Sequence, residues 1–238
     1  MASKSTDNLH PEEKELVWQY FGRKRDGFFI EVGANDPEHG SQTWLLERNG
    51  WRGLLIEPQA SFFHRLVQDR PRSKVHHAAC SSPERRGNGI LHVANLPGFS
   101  TLEKHPDTHG VAYVRTEPAR VTTLDEILQA EGNPAVDFLS IDVEGHELQV
   151  LRGLSLERHR PNLVLIEDAV RDLDQHRYLR SHGYRLVKRT ALNNWYIPEN
   201  AAFSMATLGE RIGLFRKMYL ATPFRRWRLA RRRRAGHP

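Results

Sequence analysis

The feature that most constrains this chain of 238 residues is a set of short apolar runs that each carry an acidic residue at their end. Uninterrupted apolar runs of four or five residues, bounded by glycine or charge, are typical of strands buried on both faces of a parallel sheet. In chain order the runs and their acids are Phe28–Val32 with Glu31, Gly53–Glu57 with Glu57, Asp137–Ile141 followed by Asp142, and Leu163–Ile166 followed by Glu167 and Asp168.

Helical segments separate these runs, and this alternation predicts βαβ units. The fold class expected is therefore α/β, a Rossmann-like doubly wound sheet that is mostly parallel. We also predict a third strand over Lys74–Cys80, only one short strand near Gly89–Val93 within residues 82–120, and an antiparallel pair formed by YRLVKR and NWYIP. The predicted organisation is an N-terminal helical segment (1–26), a catalytic domain (27–200) and a basic amphipathic tail (201–238).

The acids predict a ligand site, because ligands of open parallel sheets bind outside the carboxyl ends of the strands. Gly33 follows the first strand as a tight turn, and Glu57 stands where an acid after the second strand accepts hydrogen bonds from a ribose diol. The three-glycine dinucleotide fingerprint and the Walker loop are both absent, and Asp36 would repel a pyrophosphate. A nucleoside with a cationic centre and no phosphate, S-adenosylmethionine, fits these residues best.

Five segments then carry a family resemblance: EVGAND, LLIEP, TTLDEIL, FLSIDVEGHELQVLRG and LVLIE, in this order. Over roughly residues 15–200 the chain resembles the FkbM family of S-adenosylmethionine-dependent O-methyltransferases. The resemblance implies the seven-stranded class I methyltransferase sheet, whose last strand is antiparallel. It also implies methylation of a hydroxyl on a sugar, a glycolipid or polysaccharide, or a glycosylated metabolite.

The resemblance assigns expected roles to residues of this chain. The methionine end of the cofactor would lie against Glu31, Gly33, Ala34 and Asn35, and its sulfonium would lie beside Asp142. The ribose would contact Glu57 and Pro58. The adenine would contact Ala79, Cys80 and Ser81. Ser100 and His105 fall in a region expected to cover the pocket and are candidate substrate contacts. Cys80 is expected to be a small buried side chain and not a nucleophile.

Deprotonation of an alcohol at neutral pH calls for a base or a metal ion. His146 and Asp142 are the two candidate catalytic bases. Alternatively, Asp142, Glu144, Glu167 and Asp168 form a candidate Mg²⁺ site, since carboxylate oxygens suit that ion. Glu144 could equally stabilise the start of its helix.

Charge is divided unevenly along the chain. Residues 201–238 hold 10 Lys and Arg against one acid, whereas the preceding 200 residues hold 25 against 28. Basic residues interleaved with aromatics are compatible with three roles for this tail. It could bind an anionic membrane surface, or it could dock on the body of the protein and leave a basic end free. Binding to nucleic acid is the weakest of the three. With one cysteine and neither a signal sequence nor a long apolar span in view, we expect a cytoplasmic protein, with peripheral membrane contact as an additional hypothesis.

Two other functions remain open from the sequence. The first is a nucleic-acid methyltransferase steered by the basic tail, although IDVEGHE replaces the Asn/Asp-Pro-Pro-aromatic segment of amino-methylating enzymes. The second is a non-catalytic, membrane-associated module that keeps the methyltransferase fold.

Overall fold

A seven-stranded sheet lies at the centre of the computed structural model, which describes residues 11–104, 110–168, 173–202, 208–220 and 227. The strands are β1 (Phe28–Val32), β2 (Arg52–Ile56), β3 (Ser73–His76), β4 (Ala79–Cys80), β5 (Gly87–Ala94), β6 (Tyr113–Thr122), β7 (Phe138–Ile141), β8 (Leu163–Glu167), β9 (Tyr184–Thr190) and β10 (Asn193–Pro198). The helices are α1 (Pro11–Tyr20), α2 (Trp44–Arg48), α3 (Ala60–Asp69), α4 (Leu124–Ala130), α5 (Glu147–Arg152), α6 (Leu156–His159), α7 (Asp174–Ser181) and α8 (Leu208–Phe215). Short 3₁₀ and π turns cover Pro83–Arg85 and Arg216–Leu220.

The central sheet has the order β3-β2-β1-β7-β8-β10-β9. Its strands run parallel, except that β10 is antiparallel to both β8 and β9. This confirms the doubly wound, mostly parallel α/β sheet with an antiparallel last strand. The order in which strands are added to the sheet reverses at β1, because β2 and β3 follow on one side of it and β7 and β8 on the other. Such a switch point places a crevice at the carboxyl end of β1.

Apolar residues on both faces explain why these runs form buried strands. Ile30 and Val32 of β1 belong to one core cluster, and Phe29 belongs to a second cluster on the opposite face. Side chains of a strand alternate between its two faces, so a strand covered on both sides must be apolar at nearly every position. Residues 28–32 meet that requirement, with Glu31 as the exception.

A second sheet, of order β4-β6-β5, corrects two predictions. The strand predicted over Lys74–Cys80 is in fact two strands, because β3 pairs with β2 whereas β4 pairs with β6. The middle of the chain, assigned one short strand, holds an eight-residue β5 and a ten-residue β6. β6 contains Arg115, Glu117 and Arg120 and exposes much of its surface, so it lacks the apolar run by which a buried strand is recognised.

The ends of the described chain pack against this body. Val17 and Trp18 of α1 are buried in the core, and α8 lies against β9. In the described ranges, none of the helices combines the length and the apolar character that crossing a membrane requires.

Candidate active site

A cleft opens at the carboxyl ends of β1, β2 and β7, where Val32 pairs with both Ile56 and Ile141. Its volume is about 570 Å³ including the open mouth. Eight of the residues proposed from the sequence line it: Gly33, Asn35, Glu57, Pro58, Ala79, Cys80, Ser100, and Asp142, together with the candidate base His146. The lining does not include Glu31, Ala34, Ser81, Glu144, Glu167 or Asp168, and His105 lies outside the described residues.

Gly33 lets the chain turn tightly at the end of β1. It adopts a left-handed conformation with φ +81°, and a Cβ atom here would lie 1.8 Å from the carbonyl oxygen of Asp142. The backbone N–H groups of Gly33 and Ala34 both donate to the carbonyl oxygen of Ile56, at 3.0 and 3.2 Å. The turn is therefore fixed against the ends of both neighbouring strands, and no residue with a side chain fits at position 33 without moving the backbone.

Asn35 and Glu57 form the next part of the wall. The Asn35 N–H donates to Glu57 Oε2 at 2.9 Å, and the Gln59 N–H donates to Glu57 Oε1 at 2.7 Å. Burial raises the pKa of Glu57 to about 7, although these two N–H donors favour the carboxylate. The side-chain oxygen of Asn35 is buried and has no hydrogen-bond partner within the described part of the chain.

The opposite wall is apolar and comes partly from the small sheet. Phe62 of α3, Leu91 of β5 and Leu102 join Pro58, Ala79 and Cys80 there. Burial raises the pKa of the Cys80 thiol to about 12, which agrees with an inert side chain. Phe62, Leu91 and Leu102 were not foreseen, since apolar residues carry no sequence signal that separates pocket lining from core.

The segment after β5 covers part of the cleft through Gly98, Ser100, Thr101 and Leu102. The Ser100 hydroxyl donates to Gln59 Oε1 at 2.9 Å and accepts from the Ala94 N–H at 3.2 Å. Ser100 therefore joins the small sheet to the segment that follows β2. Its hydroxyl is engaged in two protein hydrogen bonds.

Three carboxylates meet beside the cleft at the end of β7. One oxygen from each of Asp142, Glu144 and Glu167 lies within 4.8 Å of the other two. Asp142 lines the cleft and is exposed to solvent there. Partial desolvation by the protein around its carboxyl, followed by repulsion from the Glu167 and Glu147 carboxylates, raises the pKa of Asp142 above its ordinary value.

Asp168 is not a member of this carboxylate group. It is buried, and its Oδ2 accepts a hydrogen bond from Asn194 Nδ2 at 2.7 Å. The four-residue metal hypothesis thus has three members that lie together and a fourth that is engaged with β10.

His146 reaches the cleft from the residue before α5, although only 3% of its surface is exposed. Its Nε2 lies 2.8 Å from the Ser81 hydroxyl oxygen. Ser81 therefore contacts the candidate base directly, although it does not line the cleft.

Glu147 is a further residue of the site. Its Oε1 accepts hydrogen bonds from the N–H groups of Val143 and Gly145, at 3.2 and 2.8 Å, and its Oε2 accepts from Gln175 Nε2 at 3.1 Å. Between the two donors, Glu144 adopts a left-handed φ of +56°. Glu147 thus holds the turn that presents Asp142 and Glu144, and the last glutamate of IDVEGHE is the sequence signal that could have identified it.

Glu31 lies beneath the cleft and is 5% exposed. Its carboxylate accepts hydrogen bonds from the Ser41 hydroxyl, the Gln42 N–H and the Thr43 hydroxyl. These contacts fold the segment between β1 and α2 back onto the end of β1. Glu31 contributes to the site by fixing this segment.

The sheet order, the antiparallel β10 and the cleft at the carboxyl ends of β1, β2 and β7 define the fold of class I S-adenosylmethionine-dependent methyltransferases. The Methyltransferase FkbM domain matches residues 31–186. The chain belongs to this family, as the sequence resemblance predicted.

Three similar proteins have low sequence identity to this chain. Hexuronic acid methyltransferase AglP of Haloferax volcanii is 24% identical over 160 residues, which cover 66% of this chain and 56% of the relative. Methyltransferase FkbM from Methylobacillus flagellatus KT is 18% identical, with a TM-score of 0.49 over 73% of this chain and 44% of that one. The METTL16 methyltransferase domain is 14% identical, with a TM-score of 0.49 over 84% and 71%. The chain spans little more than half the length of AglP and less than half of the Methylobacillus chain.

Proposed function

We propose that this protein transfers a methyl group from S-adenosylmethionine to a hydroxyl of a sugar in a polysaccharide, a glycolipid or a glycosylated metabolite. The observation that carries the proposal is the convergence of Gly33, Asn35, Glu57 and Asp142 on one cleft in a chain of the FkbM family. S-adenosylmethionine, when bound, supplies an electrophilic methyl group on a cationic sulfonium.

The residues of the cleft suit such a donor. The buried Asn35 amide oxygen lacks a partner among the described residues and can accept a hydrogen bond from an amino group. The Glu57 carboxylate can accept from a ribose diol, and the apolar wall formed by Pro58, Phe62 and Leu91 can cover an adenine. Carboxylates at the rim favour a cation and oppose a phosphate.

Asp142 is our first candidate for the group that takes the proton of the acceptor hydroxyl. It faces the cleft, and its raised pKa makes its ionised form a stronger base than an ordinary carboxylate. His146 is the second candidate, because its Nε2 is already engaged with Ser81 and little of its surface is exposed. Asp142, Glu144 and Glu167 are also the residues that would hold Mg²⁺ if the reaction uses one.

A sugar acceptor is supported by the relative AglP, a hexuronic acid methyltransferase. A hexuronic acid offers both hydroxyl and carboxyl oxygens, so the methyl group can end in an ether or in an ester. We propose the ether. A methyl ester is hydrolysed by mild alkali whereas a methyl ether survives, and this chemical difference separates the two products.

Calorimetric titration with S-adenosylmethionine tests the donor site. We expect saturable binding that weakens about tenfold or more in Glu57→Gln, because a charged hydrogen-bond acceptor is lost. Glu131→Gln is the matched control, since Glu131 pairs with Lys74 and His76 and does not line the cleft. Absence of binding to the unaltered protein would remove the proposed function.

Transfer of a labelled methyl group to glycans tests the reaction. We expect alkali-stable label with the unaltered protein and a rate lower by about 100-fold or more in Asp142→Asn, in line with loss of a general base. The same assay with and without EDTA and Mg²⁺ decides whether the carboxylates act through a metal ion. Alkali-labile label would indicate that a carboxyl group, and not a hydroxyl, accepts the methyl group. Label in RNA alone would favour a nucleic-acid methyltransferase.

A further inference from the structure

α8 and the π turn that follows it carry a row of exposed large apolar side chains. Ile212, Phe215 and Tyr219 recur at the spacing of one helical face, and 53%, 56% and 43% of their surfaces are exposed. The rings of Phe215 and Tyr219 lie 5.1 Å apart. We call these three residues the C-terminal stripe.

The segment that carries the stripe is fixed to the body at two points. Met218 is 1% exposed, and the hydroxyl of Tyr219, itself a residue of the stripe, lies 2.7 Å from Nε2 of His176 in α7. α8 also lies against β9. The C-terminal stripe is therefore held in place on the surface, with Ile212 and Phe215 exposed.

Exposed apolar residues are concentrated in this part of the chain. Among the described residues nine large hydrophobic side chains are exposed, and five of them fall between positions 212 and 227. The five are Ile212, Phe215, Tyr219, Leu220 and Trp227. Single exposed apolar residues need no explanation, but adjoining ones such as Phe215 and Tyr219 indicate a surface that binds a partner.

Charge indicates what the C-terminal stripe binds. Residues 201–238 carry a net charge of +9 (10 Lys and Arg, one Glu), whereas residues 1–200 carry −3 (25 against 28). We propose that the C-terminal stripe, together with basic residues of positions 201–238, binds the surface of an anionic lipid bilayer. The apolar side chains would enter the headgroup region while Lys and Arg meet the lipid charges.

The aliphatic members of the group favour a bilayer over nucleic acid. Single-stranded nucleic acid binds by stacking bases on aromatic rings and by phosphate contacts, which use Phe215, Tyr219 and arginine but give Ile212 and Leu220 no role. A bilayer surface uses both kinds of side chain.

The proposed membrane surface is connected to the catalytic turn by a short series of contacts. Tyr219 bonds His176, the neighbouring Gln175 donates to Glu147, and Glu147 accepts from Gly145 in the turn that follows Asp142. These contacts join the segment that carries the C-terminal stripe to the turn that presents Asp142 and Glu144. This inference goes beyond the proposed function, since membrane binding can be measured without methyl transfer.

Co-sedimentation of the full chain with vesicles tests the proposal. We expect binding to phosphatidylcholine vesicles that contain phosphatidylglycerol, little binding to phosphatidylcholine alone, and weaker binding at high salt. Ile212→Ser with Phe215→Ser should lower the partition coefficient about tenfold or more, because two apolar side chains no longer enter the bilayer. Val67→Ser, at an exposed valine of α3, is the matched control and should bind like the unaltered chain.

Three results would overturn the proposal. One is the absence of binding to the anionic vesicles, and another is equal binding by the double variant, which would leave charge as the only cause. The third is a combination of two observations on RNA. In it, RNA displaces the unaltered protein from the vesicles, and the double variant binds RNA as tightly as the unaltered protein does. Circular dichroism of each variant establishes that the fold is unchanged.

Discussion

Glu57 combines burial with two backbone hydrogen bonds, and this combination gives it a pKa within the neutral range. Burial raises the pKa of its carboxyl from 4.5 to about 7. Between these pH values the folded chain holds a proton that the unfolded chain has released. Glu57 therefore contributes stability at low pH that is lost as the pH rises through about 7.

We predict that Glu57→Gln removes this pH dependence. The free energy of unfolding of the unaltered chain, relative to the variant, should fall by about 3 kcal/mol between pH 4.5 and pH 7 and then level off. Urea unfolding of both proteins across this range measures the difference. Using the difference cancels the titration of Asp142 and Glu147, and a difference that does not vary with pH would contradict the prediction.

At the level of single residues, the sequence predicted which acids lie at the strand ends, but it did not predict which groups these acids contact. Four parallel strands end at one edge of the sheet, so Glu57 and Asp142 had to lie near each other. Whether an acid faces the cleft or the protein depends on its hydrogen-bond donors. Glu31 is held by Ser41, Gln42 and Thr43, ten to twelve residues further along the chain, and nothing in the local pattern indicates these contacts.

At the level of elements, a buried network fixes the segment between β1 and α2. Arg70, the residue after α3, pairs with Glu47 of α2 at 2.7 Å and donates to the Thr43 hydroxyl at 2.8 Å. Thr43 in turn donates to Glu31. The network therefore connects β1, α2 and α3 beside the glycine turn of the cleft.

We expect Arg70→Met to destabilise the chain by about 3–5 kcal/mol, because it leaves the Glu47 carboxylate buried without its partner. The matched control is Arg177→Met, which removes an ion pair with Asp174 whose side chains are 63% and 56% exposed. That change should cost less than about 1 kcal/mol. Urea unfolding measures both changes. Equal losses in the free energy of unfolding would show that the buried ion pair contributes no more to stability than the exposed one.

The central strands could be predicted from the sequence but the small sheet could not. β7 and β8 are continuous apolar runs because both faces are covered by other elements. β6 pairs with β5 over most of its length, and its ladder of backbone hydrogen bonds imposes no apolar pattern on exposed positions such as Arg115 and Arg120. Strand pairing between segments this far apart is a tertiary interaction, which local periodicity does not report.

At the level of the whole molecule, α1 is joined to the last hairpin of the sheet. Glu13 is buried and accepts hydrogen bonds from Gln42, Thr190 and Asn193. Trp18 is 2% exposed within the core cluster that also contains Trp51 and Trp195. Although residues 1–26 were predicted as a separate segment, these contacts lead us to propose that α1 folds together with the domain.

We predict that Trp18→Ala lowers the free energy of unfolding of the entire chain by about 3–5 kcal/mol, as expected for loss of a large core side chain. Fluorescence and circular dichroism should report one shared transition. Trp227→Ala, at a tryptophan that is 58% exposed, should change stability by less than about 0.5 kcal/mol. A loss of helical signal that precedes the main transition would instead make α1 an independent segment.

The position of α8 also affects how copies of this protein can meet. β9 is an edge strand of the central sheet, and an uncovered edge strand offers free backbone groups to a strand of another molecule. Because α8 lies against β9, we propose that the helix obstructs that route to sheet extension and aggregation. The helix for which we propose lipid binding would then also protect the sheet edge from self-association.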